Sequence, residues 1–196
     1  SREEVCKRLK LPVDKPIVLA SFGGYGLPGL DTEALAKFKK YTVLNIAKLP
    51  VGRVRKDTQL AERKGSYVSV NEEAMYDSGM RYEDLVGAAE AIVTKPGYGI
   101  ISEAIANDAA ILYTSRGHFP EYDLLVQEMP KYLRNAFIGH DDLFSGKWEG
   151  FLDKLLAQPK PKKKPETNGA DVAADILLKA LDKPPKKPRG RPKAKF

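Results

Sequence analysis

Lys95-Pro-Gly-Tyr-Gly99 follows a short apolar run, Ala91-Ile-Val-Thr94, and leads into Ile100-Ile-Ser-Glu-Ala104. A lysine beside a glycine-rich turn at the start of a helix is an arrangement for binding an anion. The backbone amides of the first turn are free to donate, the helix dipole favours negative charge, and Lys95 adds a full positive charge. Glycine at 97 and 99 removes Cβ atoms that would keep a phosphate from the backbone. A second glycine pair, Gly23-Gly24, ends the apolar run Pro16-Ile-Val-Leu-Ala-Ser-Phe22 in the same manner. Each loop taken alone reads as a tight turn. Two of them at the ends of buried strands, one with a lysine, read as a phosphate site.

The surrounding residues narrow the chemistry. Glu103 lies one turn into the helix, either as a carboxylate stabilised by the helix amino end or as a group reading hydroxyls such as a ribose pair. Arg116, His118 and Glu121 follow the next apolar run, Ala110-Ile-Leu-Tyr113, and form the next lip of the same crevice. A literal GxGxxG stands at Gly24, Gly26 and Gly29. A dinucleotide fold needs the helix to open inside that motif and an acidic residue about 20 positions later. Here Pro28 and the Asp31-Thr32 cap put the helix after the last glycine, and the second strand ends at Asn45. NAD is therefore not expected. No GxxxxGK[ST] occurs, so a P-loop nucleotidase is excluded.

Positioning those loops requires alternating strands and helices. After a helical lead-in through Val5, Leu9 and Leu11, strands are expected at 16–22, 41–45, 67–70, 91–94, 110–113 and 136–138. Helices are expected at 33–40, 82–89, 100–107, 121–133 with a break at Pro130, and 148–156, whereas 46–66 is irregular and basic. A glycine-rich turn joining two buried strands through a short helix is a βαβ crossover. The fold class is α/β, a Rossmann-like doubly wound parallel sheet without internal repeats. With strand order 3-2-1-4-5, the loops after the first and fourth strands flank one crevice, where such sheets bind ligands.

The 196 residues carry a net charge of +7, but it is unevenly placed. Residues 160–196 hold 12 Lys/Arg and 4 Asp/Glu, whereas residues 1–159 hold 21 and 22, so the body is near neutral. Seven of the 14 prolines lie at or after Pro159. The expected organisation is a body over 1–158, a Pro/Lys-rich linker over 159–170, an amphipathic helix over 171–182 docked on the body, and a disordered basic tail over 183–196. Lys186-Lys-Pro-Arg-Gly-Arg-Pro-Lys193 is either a solvated charged tail or an AT-hook-like segment placing Arg189 and Arg191 in a minor groove. One cysteine and two histidines supply no common zinc set, so no metal is expected. No apolar stretch reaches the roughly 20 residues that cross a bilayer, and no signal peptide opens the chain. Cytoplasm is the expected compartment. The first residue is not methionine, as expected of a piece of a longer or processed chain.

Val93-Thr-Lys-Pro-Gly-Tyr-Gly-Ile-Ile-Ser-Glu-Ala104 resembles the C-terminal, donor-binding domain of GT-B glycosyltransferases of family 28, the peptidoglycan N-acetylglucosaminyltransferase family, and most closely the glycosyltransferase-like half of arabinokinases. The likeness extends to Arg2-Glu-Glu-Val5, Lys15 to Gly24 and Arg116 to Glu121, spanning most of residues 1–156. It implies one half of a GT-B fold binding a nucleotide sugar, taken as UDP-linked, with no cofactor. By that resemblance Gly97, Tyr98, Gly99 and Ser102 hold the donor diphosphate, with Lys95 beside them. Gly23 and Gly24 approach from the other side, Glu103 takes the ribose hydroxyls, and His118 and Glu121 contact the sugar. Glu121-Tyr-Asp123 departs from the paired glutamines of the peptidoglycan enzyme, which leaves the sugar open. The implied activity is transfer of a hexosyl-type sugar to an acceptor held by an N-terminal domain, in cis or in trans, which would also carry the catalytic base. Two other readings are a non-catalytic nucleotide-sugar-binding module and a DNA-associated protein acting through the tail.

Overall fold

Apolar residues along the central strands sort by parity, and this builds the fold. In a computed structural model of the chain, residues 1–23, 27–47, 59–163 and 165–181 are described. Ile17 and Leu19 of β1 (Ile17–Ser21) bury into one core, whereas Val18 and Ala20 bury into a second on the opposite face. β5 (Ala91–Thr94) and β6 (Ala110–Tyr113) do the same, sending Ile92 and Ile111 one way and Val93 and Leu112 the other. Side chains alternate across a strand, so a sheet apolar on both faces must be covered on both.

The sheet has seven strands in the order β3-β4-β2-β1-β5-β6-β7, completed by β2 (Thr42–Ala47), β3 (Ala61–Lys64), β4 (Tyr67–Asn71) and β7 (Asn135–Phe137). All pairings are parallel except that of β3 with β4. The expected order of the first five strands read from the sequence is thus observed, and the sixth, β7, lies beside the fifth. β3 is an addition, lying inside the stretch expected to be irregular. Its residues Ala-Glu-Arg-Lys are half-buried or exposed at the sheet edge, so no apolar alternation marks it.

Buried residues of α1 (Arg2–Leu9), α3 (Glu72–Asp77), α4 (Tyr82–Ala88), α5 (Tyr98–Ala106) and α6 (Tyr122–Glu128) join the first core. Those of α2 (Thr32–Ala36), α7 (His140–Phe144) and α8 (Glu149–Leu156) join the second, which also holds the fully buried Trp148. α2 starts after Asp31, whose side chain accepts from the Ala34 amide at 3.0 Å. The helix opens beyond Gly29, as the argument against a dinucleotide motif requires. α6 gives way to a 3-10 turn at Met129–Lys131 because Pro130 has no amide to continue it.

Glu90 fixes the two strands that carry the glycine loops. Its carboxylate accepts from the Ile17 amide at 2.6 Å and pairs with Arg2 at 3.0 Å, which anchors β1 beside β5 at their amino ends. The register then sets Ser21 opposite Thr94, and Thr94 opposite Tyr113.

The chain divides into two compact units, residues 1–164 and 165–196. Within the first, Lys160 pairs with Asp108 and Lys163 lies 5.0 Å from the Tyr132 ring centroid. The start of the expected linker is thus tied to the body. Within the second, α9 (Gly169–Leu181) is the expected amphipathic helix, begun two residues earlier, and all its residues are exposed. Docking of this helix stands as an expectation. No helix among the described residues is long and apolar enough to cross a membrane. Gly24, Arg189 and Arg191 lie outside the described residues.

Candidate functional site

β1 and β5 are neighbours, yet their connections leave in opposite directions. The chain after β1 runs to α2 against the second core, and the chain after β5 runs to α5 against the first. The carboxyl ends of the two strands therefore border a crevice at the point where the winding of the sheet reverses. A cleft of about 480 Å³ occupies it.

One wall is the end of β1. Ser21, Phe22 and Gly23 line it, and Gly23 has a φ of +71°, a left-handed conformation that glycine adopts without strain. The Ser21 hydroxyl is held 2.8 Å from the Tyr82 hydroxyl. Burial raises the pKa of that phenol against the opposing effect of the Ser21 hydrogen bond. Tyr82 also lines a smaller pocket of about 210 Å³, which shares Ser21, Phe22 and Gly23 and reaches Tyr76.

The facing wall is the β5–α5 turn. Lys95 and Gly97 line the cleft, followed by Tyr98, Gly99, Ile100 and Glu103 of α5. The helix starts at Tyr98, two residues earlier than expected, with Gly97 as N-cap and the first helical bond from the Ile101 amide to the Gly97 carbonyl at 3.1 Å. The amides of Tyr98, Gly99 and Ile100 precede that bond. They have no acceptor within the helix, and the nine-residue helix directs its dipole at the same point. A Cβ on Gly99 would meet nothing within 4 Å, so this side of the turn is open space.

Glu103 lies one turn further in and is half-buried. Its pKa is raised above the ordinary carboxylate value, first by burial and then by the negative charge of Glu83. The folded state therefore holds the Glu103 proton more tightly than the unfolded chain does. Its stabilising contribution is complete in acid and is lost as pH rises through the raised value. Glu103→Gln is accordingly expected to raise the melting temperature at pH 7 and to leave it unchanged below about pH 4. Thermal denaturation at the two pH values checks this.

The third wall comes from the loop after β6. Arg116 and Phe119 line the cleft, with the Arg116 guanidinium 3.9 Å from the Phe119 ring centroid and donating to the Pro96 carbonyl at 2.7 Å. The structure thus brings Gly23, Lys95, Gly97, Tyr98, Gly99 and Glu103 together. Ser102, His118 and Glu121 are exposed and are not part of the described wall. Ser102 is turned about 100° around α5 from Glu103, and Glu121 stands at the N-cap position of α6 without a side-chain cap bond. Tyr82 and Thr94 were not selected from the sequence, and Phe119 was included only as part of the stretch from His118 to Glu121. The unbroken buried run of β5 could have indicated Thr94 as its last buried position, whereas Tyr82 enters the wall only through tertiary contacts.

No protein-family model matches the sequence. Among solved structures, the chain resembles the glycotransferase of kitacinnamycin with a TM-score of 0.56 at 13% identity, over 86% of this chain and 44% of that one. It resembles the spinosyn forosaminyltransferase SpnP with a TM-score of 0.52 at 13% identity, over 87% of this chain and 45% of that one. The fold is that of a GT-B Rossmann-like domain. In sequence, the chain is 26% identical over 180 residues to an L-arabinokinase of Arabidopsis thaliana, covering 90% of this chain and 15% of that protein. The chain therefore spans less than half of either structure and a small part of the arabinokinase.

Proposed function

We propose that this chain is the nucleotide-sugar-binding half of a glycosyltransferase, and that the cleft between β1 and β5 holds the donor. The observation that carries this reading is the convergence of the open α5 amino end, Lys95 and the left-handed Gly23 on one crevice. The fold and the weak similarity to an arabinokinase support it. The donor is UDP-linked with a hexosyl-type sugar, and the acceptor and base belong to an N-terminal domain in cis or in trans, as in the family 28 pattern.

In the reaction, the bond between the sugar anomeric carbon and the β-phosphate oxygen breaks while a bond to the acceptor oxygen forms. The acceptor proton passes to a base outside this chain. Negative charge accumulates on the departing diphosphate. The Tyr98–Ile100 amides, the helix dipole and Lys95 stabilise it without rearranging, which is the most effective form of electrostatic catalysis. Glu103 accepts from the ribose hydroxyls, and Gly23 closes on the phosphates from the opposite wall; the same role is proposed for Gly24 from the family resemblance alone. The roles of Ser102 towards the diphosphate and of His118 and Glu121 towards the sugar rest on the family resemblance alone, since the three lie outside the described wall.

Calorimetric titration with UDP and UDP-sugars tests the reading. Saturable binding to the folded chain is expected, and Glu103→Gln is expected to weaken it by ~10-fold or more, the loss of hydrogen bonds to a charged group. No binding at millimolar UDP or UDP-sugar would refute the site.

A further inference from the structure

We propose that Arg116 sets the preference of this cleft for two linked phosphates over one, an inference that rests on the donor-site reading. Two contacts hold the guanidinium at the cleft, and the lack of a side chain at 97 leaves it room. It donates from Nη1 to the Pro96 carbonyl at 2.7 Å, it lies over the Phe119 ring, and it fills the space where a side chain at 97 would begin. A Cβ on Gly97 would stand 2.7 Å from Arg116 Nη1. The backbone of Gly97 is extended, with a φ of −165°, a conformation open to any residue. Glycine at 97 is therefore explained by the seat it leaves for the arginine.

The charge arrangement gives this seat a purpose. The first turn of α5 presents one set of convergent amides, sufficient for one phosphoryl group. A second phosphoryl group needs its own donors, and Lys95 and Arg116 flank that turn from two different loops. Guanidinium has five N–H donors in a fixed plane, so a bond to Pro96 leaves others for a phosphate. The same bond ties the loop after β6 to the peptide that caps α5. Arg116 thus positions the α5 turn and contacts the second phosphate.

The test compares affinities for UDP and UMP, with GDP and GMP run beside them, by calorimetry on the full chain. The wild type is expected to bind the diphosphate at least ~10-fold more tightly than the monophosphate. Arg116→Ala is expected to reduce that ratio by ~10-fold through the diphosphate alone. Arg116→Lys recovers only part, since an ammonium cannot serve Pro96 and a phosphate in one plane. Gly97→Ala displaces the flexible guanidinium rather than the backbone, so it is expected to reproduce Arg116→Ala. The double variant is expected to be no worse than Arg116→Ala, the non-additivity of a shared interaction. An unchanged ratio in Arg116→Ala, or equal weakening of both ligands, overturns the inference while leaving the site intact. Failure of the wild type to bind any of the four ligands overturns the site and the inference together.

Discussion

Gly99→Leu is expected to abolish UDP binding at millimolar ligand and to leave the protein at least as stable as before. Residue 99 is the second residue of α5, and it lines the cleft. A Cβ there meets nothing within 4 Å, so a side chain at 99 begins in open space. The side chain then occupies the volume in front of the Tyr98–Ile100 amides. Losing two or three charge-assisted hydrogen bonds, each about 1.5 kcal/mol or more, lowers affinity by ~100-fold or beyond. Helix propensity acts in the opposite direction, because leucine replaces glycine within a helix at a gain of up to about 1 kcal/mol. Calorimetry and thermal melting together check the pair of effects. Retained binding would place the phosphates away from α5, whereas a large loss of stability would mean that the turn is packed rather than open.

The largest effect on stability is expected at Trp148. This residue is fully buried at the entrance to α8, donates from Nε1 to the Leu143 carbonyl at 2.8 Å, and meets Phe38 edge to face at 6.5 Å between ring centroids. It joins α2, α7 and α8 in the second core, away from the cleft. Trp148→Ala leaves a cavity that those short helices cannot close, at a cost of about 3–5 kcal/mol. That is a large share of the roughly 5–15 kcal/mol that holds a domain of this kind. Trp148→Phe keeps most of the packing and loses the hydrogen bond, so it should fall well short of that cost. Urea denaturation followed by circular dichroism measures both. A loss below 1 kcal/mol for Trp148→Ala would contradict the packing described. At temperatures where that variant is folded, its affinity for UDP should match the wild type.

The central sheet was legible because its strands are buried on both faces. Ile17 to Ala20, Ala91 to Val93 and Ala110 to Leu112 are unbroken apolar runs, a pattern that parallel strands share. β3 was not legible for the converse reason, since an exposed edge strand has no apolar face to display. α3 and α7 have six and five residues, too short for helical periodicity to emerge. Only a cap could have marked α3. Asn71 accepts from the Ala74 amide at 2.8 Å, and a lone asparagine before two glutamates is a weak signal beside the strand it also ends.

The candidate site divides in the same way. Lys95, Gly97, Gly99 and Glu103 were legible because they lie on one strand–turn–helix unit whose geometry is local. The start of α5 was read two residues late, since two glycines and an exposed tyrosine look like loop until Gly97 is seen to cap the helix. Tyr82 and Phe119 come from elements distant in sequence. Arg116 was visible as part of the next lip, but its bond to Pro96 and its place against Gly97 were not, because no spacing rule connects residues 96 and 116.

The most direct measurement is a crystal structure of the chain with bound UDP. Pyrophosphate oxygens are expected about 3 Å from the amides of Tyr98 to Ile100, with the Lys95 ammonium facing them and the ribose against Glu103. UDP bound elsewhere, with side chains closing the α5 turn and Lys95 directed into bulk solvent, would contradict this arrangement.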